Sequence, residues 1–247
     1  MTHDPAPRVL ALGGLDPGAC AGVLADAIAI ATAGGRPLTA CAALTAQGAE
    51  GVDGVFPVPA EFLDLQLKHL LPVDAVKTGV LWSVEVIEWL VARIRGGALP
   101  RPVVDPVARA SSGGLLLEPG GVRAMRRHLV RWSRAVTPNL AEAGLLIGRQ
   151  VETPDQMEDA ARALVDAGAA LAVITGGHLA DELVDVGMSR DDAAPWRLPR
   201  QRVPGSARGT GCRFAAALAT HLALGLDDHE AVIRAGDLVA DHVRRGQ

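Results

Sequence analysis

Short runs of continuous apolar residues alternate along this chain with stretches whose apolar positions recur every three or four residues. The first pattern predicts buried strands and the second predicts helices. Arg8-Val9-Leu10-Ala11-Leu12 is the first strand, ending at Gly13-Gly14, and residues 23–33 follow as a helix closed by Gly34-Gly35. Residues 37–44 predict a second strand, which runs into Thr45-Ala46-Gln47-Gly48 and a loop rich in Gly and Asp as far as Pro59. Helix 61–70, strand and turn 74–79, helix 83–94 and strand 102–106 come next. Ala110-Ser111-Ser112-Gly113-Gly114 predicts a flexible loop, and residues 109–115 are the candidate lid. A helix over 118–130, a short strand from Ala135 that ends in a turn at Pro138, and a helix capped by Asn139 follow.

Thr153-Pro154-Asp155 is a capping signal for a helix over 153–167. A strand at 169–174 ends at Thr175-Gly176-Gly177-His178, and short strands are predicted at 183–187 and 196–198. A run of small residues, 204–212, leads into an apolar helix at 214–224, and a last helix covers about 228–244. Strands that alternate with helices predict an α/β fold, with a mostly parallel central sheet and helices on both faces. No repeat, low-complexity tract or linker divides residues 1–247, so one domain is expected.

Composition narrows the function classes. Hydrophobic residues make up 49% and charged residues 21%, which fits a globular protein with a large core. The net charge of −4 argues against a general nucleic-acid binder. Lys68 and Lys77 are the only lysines, and Arg carries the remaining positive charge. Cys20, Cys41 and Cys212 are far apart and give neither a disulfide framework nor a metal-binding pair. Residues 1–8 lack the apolar core of a signal peptide, and no apolar run reaches the ~20 residues of a membrane span. A cytoplasmic protein is expected.

The candidate chemistry collects at predicted strand ends, where open α/β sheets bind their ligands. Gly209-Thr210-Gly211-Cys212 opens a helix, and free N–H groups with the positive end of the macrodipole suit an anion, phosphate above all. Cys212 falls in the first turn, where a thiol pKa is expected to fall. A plain Gly-rich cap over a core helix is the competing reading of the same residues. Gln47 offers a donor and an acceptor to a heterocycle, or is simply a turn residue. Asp26 reads as an exposed or capping carboxylate, or as a ligand contact. Asp105 ends a strand. Asn139 and Glu142 share a helix face and also fit a capping box. Carboxylates near an anion loop suggest magnesium and phosphoryl transfer.

Several stretches, in order, resemble the hydroxymethylpyrimidine/phosphomethylpyrimidine kinases of the ribokinase-like superfamily. They are Gly14-Leu15-Asp16-Pro17, Ala21-Gly22 with Ala25-Asp26, Thr45-Ala46-Gln47, Lys77-Thr78-Gly79 and Val104-Asp105-Pro106-Val107. Thr137-Pro138-Asn139-Leu140-Ala141-Glu142, Gly176-Gly177-His178-Leu179 and Gly209-Thr210-Gly211-Cys212 complete the set. The resemblance implies a single ribokinase-like domain that uses ATP and Mg2+ to phosphorylate 4-amino-5-hydroxymethyl-2-methylpyrimidine, its monophosphate, or both. It also implies a homodimer.

By position, Gln47 would bind the aminopyrimidine in a pocket lined by Gly14, Ala21, Asp26, Val80 and Val107. Gly209, Thr210 and Gly211 would form the anion hole with Cys212, which is also the candidate base. Asp105 would hold magnesium, with Glu142 and Asn139 acting through water. Thr175, Arg208 and Arg213 would face nucleotide or phosphate. The chain departs from the family where lysines are usual, at Ile28, Ser111 and Thr175, and Arg109, Arg208 and Arg213 are the candidate replacements. A pyridoxal-type vitamin kinase and a catalytically weakened pyrimidine binder therefore stay open beside the active kinase.

Overall fold

The computed structural model describes residues 6–48, 50–110, 113–177, 179, 183–205 and 207–246. Two-sided burial organises it. In β1 (Arg8–Leu15), Leu10 and Leu12 point to one face of the sheet while Val9 and Ala11 point to the other, and all four are fully buried. A strand covered on both faces carries a continuous apolar run, which is why it was legible. Among the described residues nine strands form one sheet in the order β3-β2-β1-β4-β5-β6-β7-β8-β9.

The parallel centre consists of β2 (Arg36–Gln47), β1, β4 (Ala75–Thr78), β5 (Val103–Val104), β6 (Ala135–Val136) and β7 (Leu171–Ile174). Antiparallel strands close the edges. β3 (Val52–Pro57) pairs with β2, and β8 (Val184–Ser189) and β9 (Trp196–Pro199) follow β7. The loop expected up to Pro59 therefore contains an edge strand. Asp53 and Gly54 break its apolar alternation, and only pairing with the far half of β2 holds it extended.

The helices take two sides. α1 (Gly22–Thr32), α7 (Thr210–Ala223) and α8 (Asp228–Arg245) cover the face holding Val9 and Ala11. α2 (Ala60–Lys68), α3 (Val84–Arg95), α4 (Gly121–Ala124), α5 (Leu140–Ile147) and α6 (Pro154–Asp166) cover the face holding Leu10 and Leu12. The helix expected at 118–130 is broken up. It starts after Gly120, whose φ is 93°, widens into a π-helical turn over Met125–Leu129 and tightens into a 3-10 turn over Val130–Trp132. The candidate lid makes a small antiparallel turn, with Arg109 bridged to Leu115 and the Ala110 N–H donating to the Gly114 carbonyl at 2.8 Å. Ser111, Ser112 and His178 lie outside the described residues.

Candidate active site

A cleft of about 1240 Å³ opens at the C-terminal ends of the parallel strands. Its wall includes Gly14, Ala21 and Asp26 from the β1–α1 segment, Gln47 from the end of β2, and Val80 after β4. Asp105 and Val107 follow β5, Asn139 and Glu142 start α5, and Thr175 follows β7. Arg208, Gly209, Thr210, Gly211 and Cys212 complete it.

Arg213 is the exception among the residues singled out from the sequence. It is buried, and its guanidinium donates to the carbonyls of Cys20 (2.8 Å), Arg208 (3.2 Å) and Gly209 (3.4 Å). The expectation that it faces phosphate is corrected: it staples the 208–209 backbone to the β1–α1 loop. Ile28 is 54% exposed and is not part of the cleft wall, so the family lysine missing there leaves no gap in that wall.

α7 begins as an anion site should. Gly209 is its N-cap with φ 71°, no side chain caps the helix, and no acidic residue stands in its first turn. The leading N–H groups and the positive helix end therefore face the cleft without a competing carboxylate. Cys212, in that turn, does not have the lowered pKa expected. Burial pushes its thiol up to about 12, and the nearby Lys77 ammonium only partly offsets this. The local dipole argument holds, but desolvation outweighs it.

Asp26 is neither exposed nor a cap. It is fully buried on α1, and both its oxygens accept from Lys77 Nζ at 2.8 Å. Burial raises its carboxyl to about 6 against the pull of Lys77. Lys77 itself is fully buried on β4. Burial works against its charge, and the Asp26 and Asp105 carboxylates outweigh that and hold the ammonium above its ordinary range. Lys77 was singled out for its rarity, but no sequence signal linked it to Asp26, 51 residues away.

At the opposite wall, Asn139 and Glu142 form a full capping box on α5. The Glu142 N–H donates to Asn139 Oδ1 and the Asn139 N–H to Glu142 Oε2, each at 3.0 Å. The bland reading of this pair thus holds, and it leaves the second Glu142 oxygen for other work. Burial first, and the Asp105 carboxylate second, push Glu142 up to about 8. Asp105 is buried, and its Oδ2 has no hydrogen-bond partner among the described residues; Lys77 Nζ stands 3.5 Å away.

Two carboxylates on one cleft wall, with the Asp105 charge raising the proton affinity of Glu142, fit a hard divalent cation. Among the described residues no cluster of three or more His, Cys, Asp or Glu offers a full cage. That matches Mg2+, which takes one or two carboxylates and keeps water and substrate phosphate as its other ligands.

Known proteins resemble this chain in sequence and fold. The family model described as phosphomethylpyrimidine kinase matches residues 16–247. The hydroxymethylpyrimidine/phosphomethylpyrimidine kinase of Bacillus subtilis is 35% identical over 245 residues, covering 96% of this chain and 89% of that protein. The thiamine biosynthesis bifunctional protein of Geobacter sulfurreducens is 38% identical over 250 residues, and this chain spans 98% of itself but 51% of that protein. Among solved structures, phosphomethylpyrimidine kinase from Clostridium difficile matches with TM-score 0.83 at 26% identity, over 96% of this chain and 99% of that one. Pyridoxal kinase from Staphylococcus aureus, in complex with AMP-PCP and pyridoxal, matches with TM-score 0.85 at 31% identity, over 98% and 90%.

Proposed function

The chain belongs to the phosphomethylpyrimidine kinase family of phosphotransferases, and from that premise we propose that it is a single kinase domain. In this reading it uses ATP and Mg2+ to phosphorylate 4-amino-5-hydroxymethyl-2-methylpyrimidine and its monophosphate. One observation carries it: the uncapped start of α7, the carboxylates of Asp105 and Glu142, and the amide of Gln47 all face one cleft. Anion cradle, metal ligands and heterocycle contact are the parts a phosphoryl transfer needs.

In this reading Gln47 hydrogen-bonds the aminopyrimidine over a floor of Gly14, Ala21, Asp26, Val80 and Val107. The N–H groups of Gly209, Thr210, Gly211 and Cys212 receive the transferring phosphoryl group. Asp105 and Glu142 hold Mg2+, Glu142 through water; the metal, when bound, neutralises charge on the phosphates. Asn139 fixes Glu142, and Thr175 and Arg208 face the nucleotide. Cys212 accepts the hydroxymethyl proton as a thiolate. Burial keeps it a thiol in the free protein, so it first releases its own proton to water as the site loads, with Lys77 as the fixed charge that assists.

Pyridoxal is the second substrate to weigh, because pyridoxal kinases match at TM-scores up to 0.87. Exposed apolar side chains on β3 and α2, Phe56, Phe62 and Leu65, support a homodimer, to be checked by light scattering. No described helix is long and apolar enough to cross a membrane, and a cytoplasmic location accords with that.

Phosphorus-detected product analysis tests the function. Wild type and Cys212→Ala are incubated with ATP and Mg2+, and separately with hydroxymethylpyrimidine, its monophosphate and pyridoxal. Pyrimidine mono- and diphosphate from wild type alone are the expected result. Pyridoxal phosphate as sole product would move the assignment to the second substrate. Tight pyrimidine binding without any product would make the chain a binding protein.

A further inference from the structure

Lys77 is the buried charge that the chemistry above uses least and the geometry uses most. It is fully buried and is not part of the cleft wall. Its side chain leaves β4 toward α1 and α7, the same face as Ala75. Its Nζ donates twice to Asp26, at 2.8 Å to each oxygen, and stands 3.5 Å from Asp105 Oδ2.

Space around the ammonium is closed. A Cβ built on Gly79 would lie 3.2 Å from Nζ, so the backbone two residues on already packs against it. Asp26 belongs to the pyrimidine side of the cleft and Asp105 to the metal side. Asp105 is held by its backbone, whose N–H donates to the Thr78 carbonyl at 2.9 Å. Among the described residues its carboxylate has no charged partner but Lys77.

We propose that Lys77 is a positioning residue that fixes the two halves of the transfer site against each other. Through one immobile ammonium it sets the place of Asp26 under the substrate and, by facing Asp105 Oδ2, turns the other oxygen of that carboxylate to the metal. The unequal distances suit this division. The short pair with Asp26 anchors the ammonium, and the longer approach to Asp105 Oδ2 orients that carboxylate from its buried side and leaves Oδ1 for the metal. The proposal rests on the kinase reading for the roles of the two halves, but not for its test.

The test is the double variant Asp26→Asn/Lys77→Met. Lys77→Met alone would strand a buried carboxylate, and breaking a buried pair from one side is strongly destabilising, whereas replacing both partners by neutral groups of similar volume is often tolerated. The double change also leaves the net charge of the pair at zero, and loss of the nearby ammonium would by field alone favour a cation, so weaker binding reports lost aim. Thermal unfolding reads the fold. Paramagnetic resonance of Mn2+, titrated into protein with ADP, reads the metal site without turnover.

The expected result is a folded double variant whose Mn2+ binding is weaker by roughly 10–100-fold, the usual loss when a group orienting a metal ligand is removed. A folded double variant with Mn2+ affinity within about twofold of wild type would overturn the proposal. So would a double variant that does not fold, since Lys77 would then serve the fold alone. Wild-type turnover of the pyrimidine, measured in parallel, tests the kinase reading separately.

Discussion

Gly209 and Gly211 stand two residues apart at the start of α7, and alanine should affect them in opposite ways. At Gly209 φ is 71°, and an added Cβ would lie 2.1 Å from the Cys20 carbonyl oxygen and 2.8 Å from the Arg213 guanidinium. The first neighbour is backbone and cannot swing aside. Real Cβ atoms essentially never come closer than 3.0 Å, so the loop must open by about 1 Å. The left-handed backbone adds ~1–2 kcal/mol for a residue with a Cβ. A shift of about 1 Å in groups that hold a reacting phosphoryl costs on the order of 100-fold in rate, or ~2.7 kcal/mol of barrier.

At Gly211 nothing lies within 4 Å of the added Cβ, and the residue is in regular helix. Alanine there stabilises the helix by up to ~1 kcal/mol. Any loss of rate at Gly211→Ala with a raised melting temperature would then report a ligand that approaches the backbone closely. The assay is steady-state kinetics with ATP and hydroxymethylpyrimidine, with thermal unfolding of both variants alongside. Wild-type kcat and melting temperature in Gly209→Ala would refute the reasoning, because the clash would then not exist.

Three further outcomes follow from the structure. Iodoacetamide should modify the half-buried Cys212 slowly in the ligand-free protein at pH 7 and faster as the pH rises toward its pKa of about 12; rapid labelling at pH 7, read by mass spectrometry, would contradict a thiol held protonated. Glu142, held at about 8 against an ordinary 4.5, binds a proton in the native state that the unfolded chain has lost. That stability is present below about 4.5 and is lost as pH rises through 8. The melting temperature of metal-free protein should therefore fall from pH 6 to 8 and level off above, and Glu142→Gln should flatten that slope; an unchanged slope would reject the assignment. Asp26, held at about 6, acts in the same sense at lower pH. Last, a Cβ on Gly187 of β8 would lie 2.0 Å from the Trp196 ring. Gly187→Ala should cost about 1–3 kcal/mol, visible as a lowered midpoint in urea, and an unchanged midpoint would show that the ring has room.

What could be read in advance follows from which forces are local. β1 and β7, covered on both faces, were written as apolar runs, and the capping signals of α5 and α6 marked their starts. β3 was hidden because an edge strand with Asp53 and Gly54 owes its shape to a partner. The strand-end rule gathered Gln47, Asp105 and the Gly209 segment at one cleft. It could not foresee the charge state of Cys212, because burial depends on residues distant in the chain. Nor could it tell that Arg213 turns away from the cleft to a carbonyl 193 residues earlier.

That long reach has a consequence for how the chain is made. Arg213 and α7 close a core whose other half is Val9, Ala11, Val23 and Ile30. During synthesis the first strand and helix leave the ribosome with one apolar side uncovered, and the Arg213 that ties down its cover arrives 193 residues after Cys20. Contacts so distant in sequence make the closing step slow and leave the intermediate prone to aggregate. The anion cradle is thus also a late seam of folding: a chain cut short of α7 loses the phosphate site and the cover of half its core together.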